Sequence, residues 1–129
     1  MKCLDSDFLV AVLRGDASAV PFMEKLDQEG GAATTAITAY ELLFGARLSK
    51  KFQETDEVRK LIGKLDILPF DEKVAEKASE IHASLKERGQ EIGIKDMFIA
   101  AIALSHGSVV VTRNTKDFSR VAGLATEKW

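Results

Sequence analysis

The chain has little cysteine, proline or histidine, and each shortage excludes a class of protein. Its 129 residues include one cysteine, two prolines and two histidines. The single cysteine, Cys3, excludes a disulfide framework and fits a reducing cytosol. Two scattered histidines and one cysteine offer no zinc site, and two prolines are too few for a protein rich in linkers. We therefore expect a cytoplasmic protein whose residues 1–129 form a single domain with its own core.

Long hydrophobic runs and an excess of positive charge are absent as well. The apolar runs near Ile99 and Val109 are too short to span a bilayer. The first apolar segment contains Asp5 and Asp7, unlike a signal peptide. Because the formal net charge is −2, no overall basic field indicates a nucleic-acid partner. Binding to RNA or DNA would depend on local Lys and Arg clusters or on bound metal.

The chain does contain short apolar strands that alternate with amphipathic helices. Strands are predicted over residues 2–5, 32–36, 66–69, 108–112 and 124–126. Helices are predicted over 7–13, from a cap at Asp16 or Ser18 to Gly30, over 38–48 and 53–65, from a cap at Asp71 to Gly89, and over 94–105 and 114–118. The sixth of these is apolar nearly all round, so it should lie buried. The alternation predicts an α/β fold with a mostly parallel sheet of four to five strands and helices on both faces.

Acidic side chains stand where predicted strands give way to helices. They are Asp5, Glu41, Asp96 and the acid of the Asn114/Asp117 turn. Parallel connections bring successive strand ends to one edge of a sheet, so we expect these side chains to converge there. Several carboxylates in one crevice repel each other unless divalent cations neutralise them. Oxygen ligands suit Mg²⁺ or Mn²⁺, and such a cluster is typical of metal-assisted phosphoryl chemistry.

Each acid also has an ordinary structural explanation. Asp5 or Asp7 could cap the first helix, and Thr38-x-x-Glu41 matches a capping box. Asp96 lies in the first turn of its helix, where the helix dipole favours an anion by about 0.3–1 kcal/mol. Singly, none of these positions indicates chemistry, and the functional interpretation depends on their combination.

Four segments of the chain, in order, resemble the motifs of PIN domains. They are Leu4–Leu9, Thr38–Gly45, Gly93–Ala101 and Val111–Phe118. Their size and spacing resemble the VapC-type toxins of prokaryotic toxin–antitoxin pairs. The resemblance covers nearly the whole chain and implies a PIN-like three-layer fold.

The resemblance also implies an activity, a cofactor and partners. The activity is that of a Mg²⁺- or Mn²⁺-dependent endoribonuclease, in which water attacks an RNA phosphodiester in line. Asp5, Glu41 and Asp96 would hold the metal, and Asn114 and Asp117 would complete the catalytic site. The implied partners are a second copy of the chain, in a homodimer, and a VapB-type antitoxin that occupies and blocks the active-site groove.

Two positions depart from the family pattern. Asp7 stands where the family usually has Asn, which adds negative charge beside the metal. The fourth acidic position is Asn114, which can donate an oxygen ligand but carries no charge. Asp117 would therefore either supply the missing carboxylate, as a metal ligand, or pack the turn. Ser6 and Thr112 are expected to support the ligands through their hydroxyl groups.

Cationic side chains near the predicted site are candidates for phosphate contacts. They are Arg14, Arg47, Lys50, Lys51, Arg113 and Lys116. Phosphate contacts position RNA and do not read its sequence. The alternative is that these are ordinary solvated surface charges. The apolar stripes of the second and fourth helices could include a groove for a partner.

Two other functions stay open on the sequence. Asp5-x-Asp7 after a strand also resembles the nucleophile motif of haloacid-dehalogenase phosphatases. That motif wants Thr or Val where this chain has Leu9, and it gives Glu41 no role. The other alternative is a catalytically inactive PIN-like module that binds RNA or protein. The uncharged Asn114 favours such a module, whereas the retained acids oppose it.

Overall fold

The computed structural model describes residues 1–129, apart from the side chain of Phe52. Over these residues the strands are β1 (Lys2–Leu4), β2 (Ala33–Thr35), β3 (Asp66–Leu68), β4 (Val109–Val111) and β5 (Thr126–Glu127). The helices are α1 (Ser6–Leu13), α2 (Ala19–Gln28), α3 (Ala36–Leu48), α4 (Phe52–Gly63), α5 (Glu72–Glu87), α6 (Ile94–Ser105) and α7 (Thr115–Phe118). Helices and strands alternate much as the sequence predicts.

The strands form one sheet in the order β3-β2-β1-β4-β5, and each neighbouring pair is parallel. In the centre, Cys3 of β1 pairs with Ala33 of β2 on one side and with Val110 of β4 on the other. The carboxyl ends of β1, β2 and β4 therefore lie side by side. This arrangement confirms the predicted α/β class with a parallel sheet.

Helices cover both faces of the sheet, because successive strand residues point to opposite sides. Cys3 and Val110 belong to a core that α5 and α6 close, whereas Leu4 and Val111 belong to a second core under α1 to α4. Helix α6 is the predicted buried helix, and residues 99–103 within it are fully buried. The result is a three-layer arrangement with two cores and one sheet between them.

The start of α3 corrects one prediction. Thr38 does not form a capping box with Glu41, because the helix begins two residues earlier, at Ala36. Thr35 is the cap, and its hydroxyl oxygen accepts a hydrogen bond from the backbone nitrogen of Thr38 at 3.0 Å. Strand β2 runs directly into α3 without a loop, so the last strand residue has to serve as the cap. Glu41 is thereby left free of any capping role.

Smaller differences concern other element ends. Asp16, and not Ser18, supplies the side-chain cap of α2, since its Oδ1 accepts from the backbone nitrogens of Ser18 and Ala19 at 2.9 and 3.0 Å. Helix α4 ends at Gly63 rather than at the predicted 65. Strand β5 begins at Thr126, since its pairing with β4 starts at Val110. None of the described helices has the length and hydropathy needed to cross a membrane.

Candidate active site

Asp5 lies at the carboxyl end of the central strand, directly after β1. Its side chain is 4% exposed, and its Oδ1 accepts a hydrogen bond from the backbone nitrogen of Ser6 at 2.8 Å. It is therefore the N-cap of α1, as one of the structural explanations predicts. The cap uses one carboxylate oxygen and leaves Oδ2 directed toward the segment after β4.

The segment after β4 holds Asp5 and Asp7 together. The hydroxyl of Thr112 lies 2.8 Å from Asp5 Oδ2 and 3.3 Å from Asp7 Oδ2. The backbone nitrogen of Arg113 donates to the same Asp7 oxygen at 2.8 Å, and the other Asp7 oxygen accepts from the backbone nitrogen of Phe8 at 2.7 Å. Thr112 thus has the supporting position that the sequence predicts for its hydroxyl group.

Asp96, Asn114 and Asp117 form a second group beside the first. The side-chain amide nitrogen of Asn114 donates to Asp96 Oδ2 at 3.2 Å and to Asp117 Oδ2 at 3.3 Å. Asn114 is the residue before α7, and Asp96 lies in the first turn of α6. The uncharged amide therefore bridges two carboxylates that would otherwise repel each other. Asp117 lies beside Asp96 and is more than a solvated turn residue.

Glu41 approaches this group from α3. Its Oε2 lies 3.5 Å from the Nζ atom of Lys95, while its Oε1 is buried and has no hydrogen-bond partner among the described residues. Lys95 is not among the site residues predicted from the sequence. Its position beside Asp96, at the start of a helix that contacts α3, is the signal that was available.

Burial and mutual repulsion perturb two of the carboxyl groups. Burial raises the pKa of Asp5 from 3.8 to about 7, with a further rise from the charges of Asp7 and Asp96, although the hydrogen bonds from Thr112 and Ser6 oppose it. The pKa of Asp96 is also raised, first by burial and then by the charges of Glu41, Asp117 and Asp7, while Lys95 lowers it. The predicted acids are therefore close enough to influence each other's ionisation.

A groove of about 520 Å³ leads away from these acids between α1, α3 and α4. Ser6 and Glu41 line it near the site, and Arg14, Glu54 and Glu57 lie further along it. Helix α4 contributes to this groove, whereas none of the described residues that line the groove comes from α2. Of the predicted cations, Arg14 is thus the one that lies in a groove connected to the acids.

Arg113 takes an orientation that the sequence did not indicate. Its guanidinium carbon lies 3.5 Å from the ring centre of Trp129, and its Nη2 donates to the hydroxyl of Ser18 at 3.2 Å. Among the other candidates, Lys51 pairs with Glu54 at 3.8 Å. Arg47, Lys50 and Lys116 are exposed, as solvated surface charges would be.

The donor chemistry of the site fits a hard divalent cation. Its ligand atoms would be carboxylate and amide oxygens, which suit Mg²⁺ or Mn²⁺, and Glu41 offers a buried carboxylate oxygen without a partner. Among the described residues, however, no group of three or more His, Cys, Asp or Glu side chains is arranged to hold a metal ion. Five acids share this edge of the sheet, yet their side chains do not form a closed ligand shell.

Comparison with known proteins gives a consistent result. The family model of the PIN domain matches residues 2–124. The tRNA(fMet)-specific endonuclease VapC of Shigella flexneri is 32% identical over 127 residues, which cover 98% of this chain and 96% of that protein. Ribonuclease VapC2 of Haemophilus influenzae is 31% identical over 128 residues, with 98% and 96% covered. The crystal structure of VapBC2 from Rickettsia felis, bound to a DNA fragment from their promoter, contains a chain with a TM-score of 0.88 and 27% identity; the match covers 99% of this chain and 98% of that one.

The fold and the site define an α/β protein with an acidic site at the carboxyl edge of a parallel sheet. The chain belongs to the PIN domain family, and within it to the VapC-type ribonucleases of toxin–antitoxin systems. The phosphatase alternative finds no support in these comparisons. Neither does the inactive module, because the matched relatives are named as nucleases.

Proposed function

We propose that this chain is a Mg²⁺- or Mn²⁺-dependent endoribonuclease and the toxin of a toxin–antitoxin pair. In this proposal Asp5, Glu41 and Asp96 hold the metal together with Asp117, and Asn114 completes the catalytic site. The observation that carries the proposal is the convergence of these acids at one edge of the sheet, where burial first and the charges of the neighbouring acids second raise the pKa values of both Asp5 and Asp96. When the ionisation of neighbouring carboxyl groups is disfavoured, a bound divalent cation stabilises their charged form.

Each residue then has a distinct role. Thr112 and the backbone nitrogen of Ser6 orient the two oxygens of Asp5. Asn114 keeps Asp96 and Asp117 together before the metal arrives. A divalent ion bound there would supply a water of lowered pKa and would stabilise negative charge on the phosphate. Lys95 lies exposed beside Glu41 and in this proposal contacts an RNA phosphate.

RNA is the proposed substrate, and a VapB-type antitoxin is the proposed protein partner. The Shigella relative is named for its action on tRNA(fMet), which makes transfer RNA the first class to test. Several structural neighbours are VapBC complexes. The groove between α1, α3 and α4 reaches Glu41, so an antitoxin segment lying in it would block access to the acids.

We also propose that the protein is a cytoplasmic homodimer of single-domain chains. Tyr40, Phe44 and Leu48 recur at four-residue spacing on α3, and each is at least half exposed. The rings of Tyr40 and Phe44 stack at 5.8 Å, and Ile94 is 49% exposed nearby on α6. An apolar surface of this kind marks an interface with another chain. Sedimentation of the isolated protein measures whether it is a dimer. The free thiol of Cys3 supports a reducing compartment.

The test is a cleavage assay on a transfer-RNA pool with antitoxin-free protein. Reactions would contain Mg²⁺, Mn²⁺ or EDTA, with the native protein beside Asp96→Ala. We expect metal-dependent fragments and a loss of about a thousandfold in Asp96→Ala, or roughly 4 kcal/mol of transition-state stabilisation. Asp66→Ala, which alters an exposed acid on β3 away from the site, is the matched control and should cleave normally.

Two outcomes would contradict the proposal. Cleavage that persists in EDTA would argue against a metal-dependent reaction. Unchanged cleavage by a folded Asp96→Ala protein would show that the acidic cluster is not the active site. Circular dichroism of both variants would confirm that any loss of activity is not a loss of fold.

A further inference from the structure

The backbone and the side chain of Arg113 contact different parts of the molecule. Its backbone nitrogen donates to Asp7 at the acidic site. Its guanidinium group stacks on the ring of Trp129 at 3.5 Å, and its Nε donates to the backbone oxygen of Trp129 at 3.3 Å. Its Nη2 donates to Ser18. These side-chain contacts are made with Trp129 and the α1–α2 connection, and none of Arg113, Ser18 and Trp129 is among the described residues that line the groove.

The residues next to Arg113 both contact acids of the site. Thr112 places its hydroxyl 2.8 Å from Asp5 Oδ2, and Asn114 donates its side-chain amide to Asp96. The backbone nitrogen of Asn114 also donates to the Thr112 hydroxyl oxygen at 3.0 Å. Residues 112–114 therefore contact Asp5, which follows β1, and Asp96 on α6, and their orientation depends on the backbone at Arg113.

Trp129 is itself fixed against the core. Its ring packs edge-on against Phe8 at 5.4 Å, and Phe8 is fully buried immediately after Asp7. Strand β5 brings Trp129 to this place, since the backbone nitrogen of Thr112 donates to the oxygen of Glu127 at 3.0 Å. Stacking on an anchored ring restricts an otherwise exposed arginine, and an arginine plane suits such stacking better than a lysine does.

We propose that Arg113 and Trp129 are positioning residues, which hold segment 112–114 in the orientation that places Thr112 and Asn114 on the acids. This inference rests on the proposed ribonuclease function and deepens it. It replaces the role of phosphate contact that the sequence suggests for Arg113. Loss of the stack frees the backbone at Arg113 and misplaces the groups on either side of it.

The test is a double-mutant cycle on Arg113→Ala and Trp129→Ala, measured as kcat and KM for RNA cleavage. Because supporting contacts to ligands matter by factors of ten or more, we expect each single variant to lower kcat about tenfold. KM should change less than about twofold, and the double variant should be no worse than either single one, since both break one contact. Arg113→Lys, which keeps the charge and loses the planar stack, should behave like Arg113→Ala.

Phe22→Leu is the matched control. The ring of Phe22 also packs edge-on against Phe8 at 5.4 Å, but the cation over it is Lys2, whereas Arg113 lies over Trp129. Its loss should reduce the thermal stability by a similar amount and leave kcat unchanged. Calorimetric titration with Mn²⁺ gives a readout without RNA, in which Arg113→Ala and Trp129→Ala should bind the ion about tenfold more weakly than Phe22→Leu does. Trp129 is the only tryptophan, so its fluorescence in Arg113→Ala reports whether the stack forms in solution.

Several outcomes would overturn the inference. A raised KM with normal kcat in Arg113→Ala, together with a silent Trp129→Ala, would make Arg113 a phosphate contact after all. Unchanged kcat and Mn²⁺ affinity in both variants would show that the stack only holds Trp129 in place and does not position the site. If the native protein cleaves no RNA, the proposed function fails, and unchanged Mn²⁺ affinity in the variants would then count against the positioning role separately.

Discussion

The acidic site has two halves that are built differently. The strand half consists of Asp5, Asp7 and Thr112, and in it five hydrogen bonds hold the two carboxylates. The helix half consists of Glu41, Asp96 and Asp117, and Asn114 bridges the two aspartates. There, the contacts are a 3.5 Å ion pair to the exposed Lys95 and the amide bonds of Asn114, and one Glu41 oxygen has no partner among the described residues.

The two halves differ in how firmly their carboxylates are held. Backbone donors and a buried hydroxyl fix the strand half, because strand ends cannot move without disturbing the sheet. Side chains on helices form the helix half, and the terminal carboxylate torsions of Asp and Glu are broad, so these groups rotate at small cost. We infer that, if a divalent ion binds, the strand half would present a preformed ligand and the helix half would supply the carboxylates that adjust to it.

The largest effect is expected in the strand half, from Asp5→Asn. This change should reduce cleavage by about a thousandfold. It should also stabilise the metal-free protein at pH 8, because it removes a buried carboxylate group whose pKa is raised to about 7. One pKa unit corresponds to about 1.4 kcal/mol, so the gain should be at least of that order. Thermal unfolding in EDTA measures it, with the exposed Asp66→Asn as control.

The same group sets a pH dependence with a definite sign. The raised pKa means that folded Asp5 keeps its proton up to about pH 7, whereas the unfolded chain loses it near pH 4. The stability of the metal-free protein should therefore fall as the pH rises from about 4 to 7, by up to about 1.4 kcal/mol per pH unit. Metal affinity should rise over the same range. A flat profile that is identical in Asp5→Asn would contradict the assignment.

A smaller effect is expected from Asn114→Asp in the helix half. The change replaces the amide that bridges Asp96 and Asp117 with a third negative charge. Loss of these bonds should destabilise the metal-free protein by about 1–3 kcal/mol, and the added carboxylate should strengthen Mn²⁺ binding. Calorimetry and thermal unfolding check both signs. Gln90→Glu makes the same chemical change at an exposed position and should have neither effect.

The smallest effect is expected from Lys95→Gln, which removes the ion pair with Glu41. Lys95 is 57% exposed, and exposed pairs contribute about 0.2–1 kcal/mol at most. The melting temperature should therefore hardly change, while cleavage should fall a few-fold because Glu41 loses its orienting partner. Lys77→Gln, which breaks a comparable surface pair with Glu80 at 3.6 Å, is the control. A thousandfold loss of cleavage in Lys95→Gln would contradict this ranking, because the helix half would then depend on one exposed contact as strongly as the strand half depends on Asp5.

Much of this architecture could be predicted from the sequence. The limits of α6 were predicted exactly as residues 94–105, since an apolar helix between two glycines leaves little choice. The cap at Asp71 was also predicted and is confirmed by a 2.9 Å bond from the backbone nitrogen of Val74. The capping box at Thr38 was wrong, because the pattern also fits a helix that starts earlier, at the strand's last residue.

The contacts of charged side chains could not be predicted in the same way. Nothing in the sequence near Arg113 shows that its side chain stacks on a residue sixteen positions later. Lys95 pairs with Glu41 across two helices, which no local pattern records. Long flexible side chains choose among several neighbours, and the choice depends on distances between elements.

The sequence by itself therefore determined the order of elements, the parallel sheet and the types of residue at its carboxyl edge. Period-two and period-3.6 patterns dictate which faces are buried, and each pattern is local. The tertiary structure alone decided how the acids divide between the strand half and the helix half. That division depends on which donors the folded chain brings to each carboxylate, and those donors come from up to 107 positions away, as the bond from Thr112 to Asp5 does.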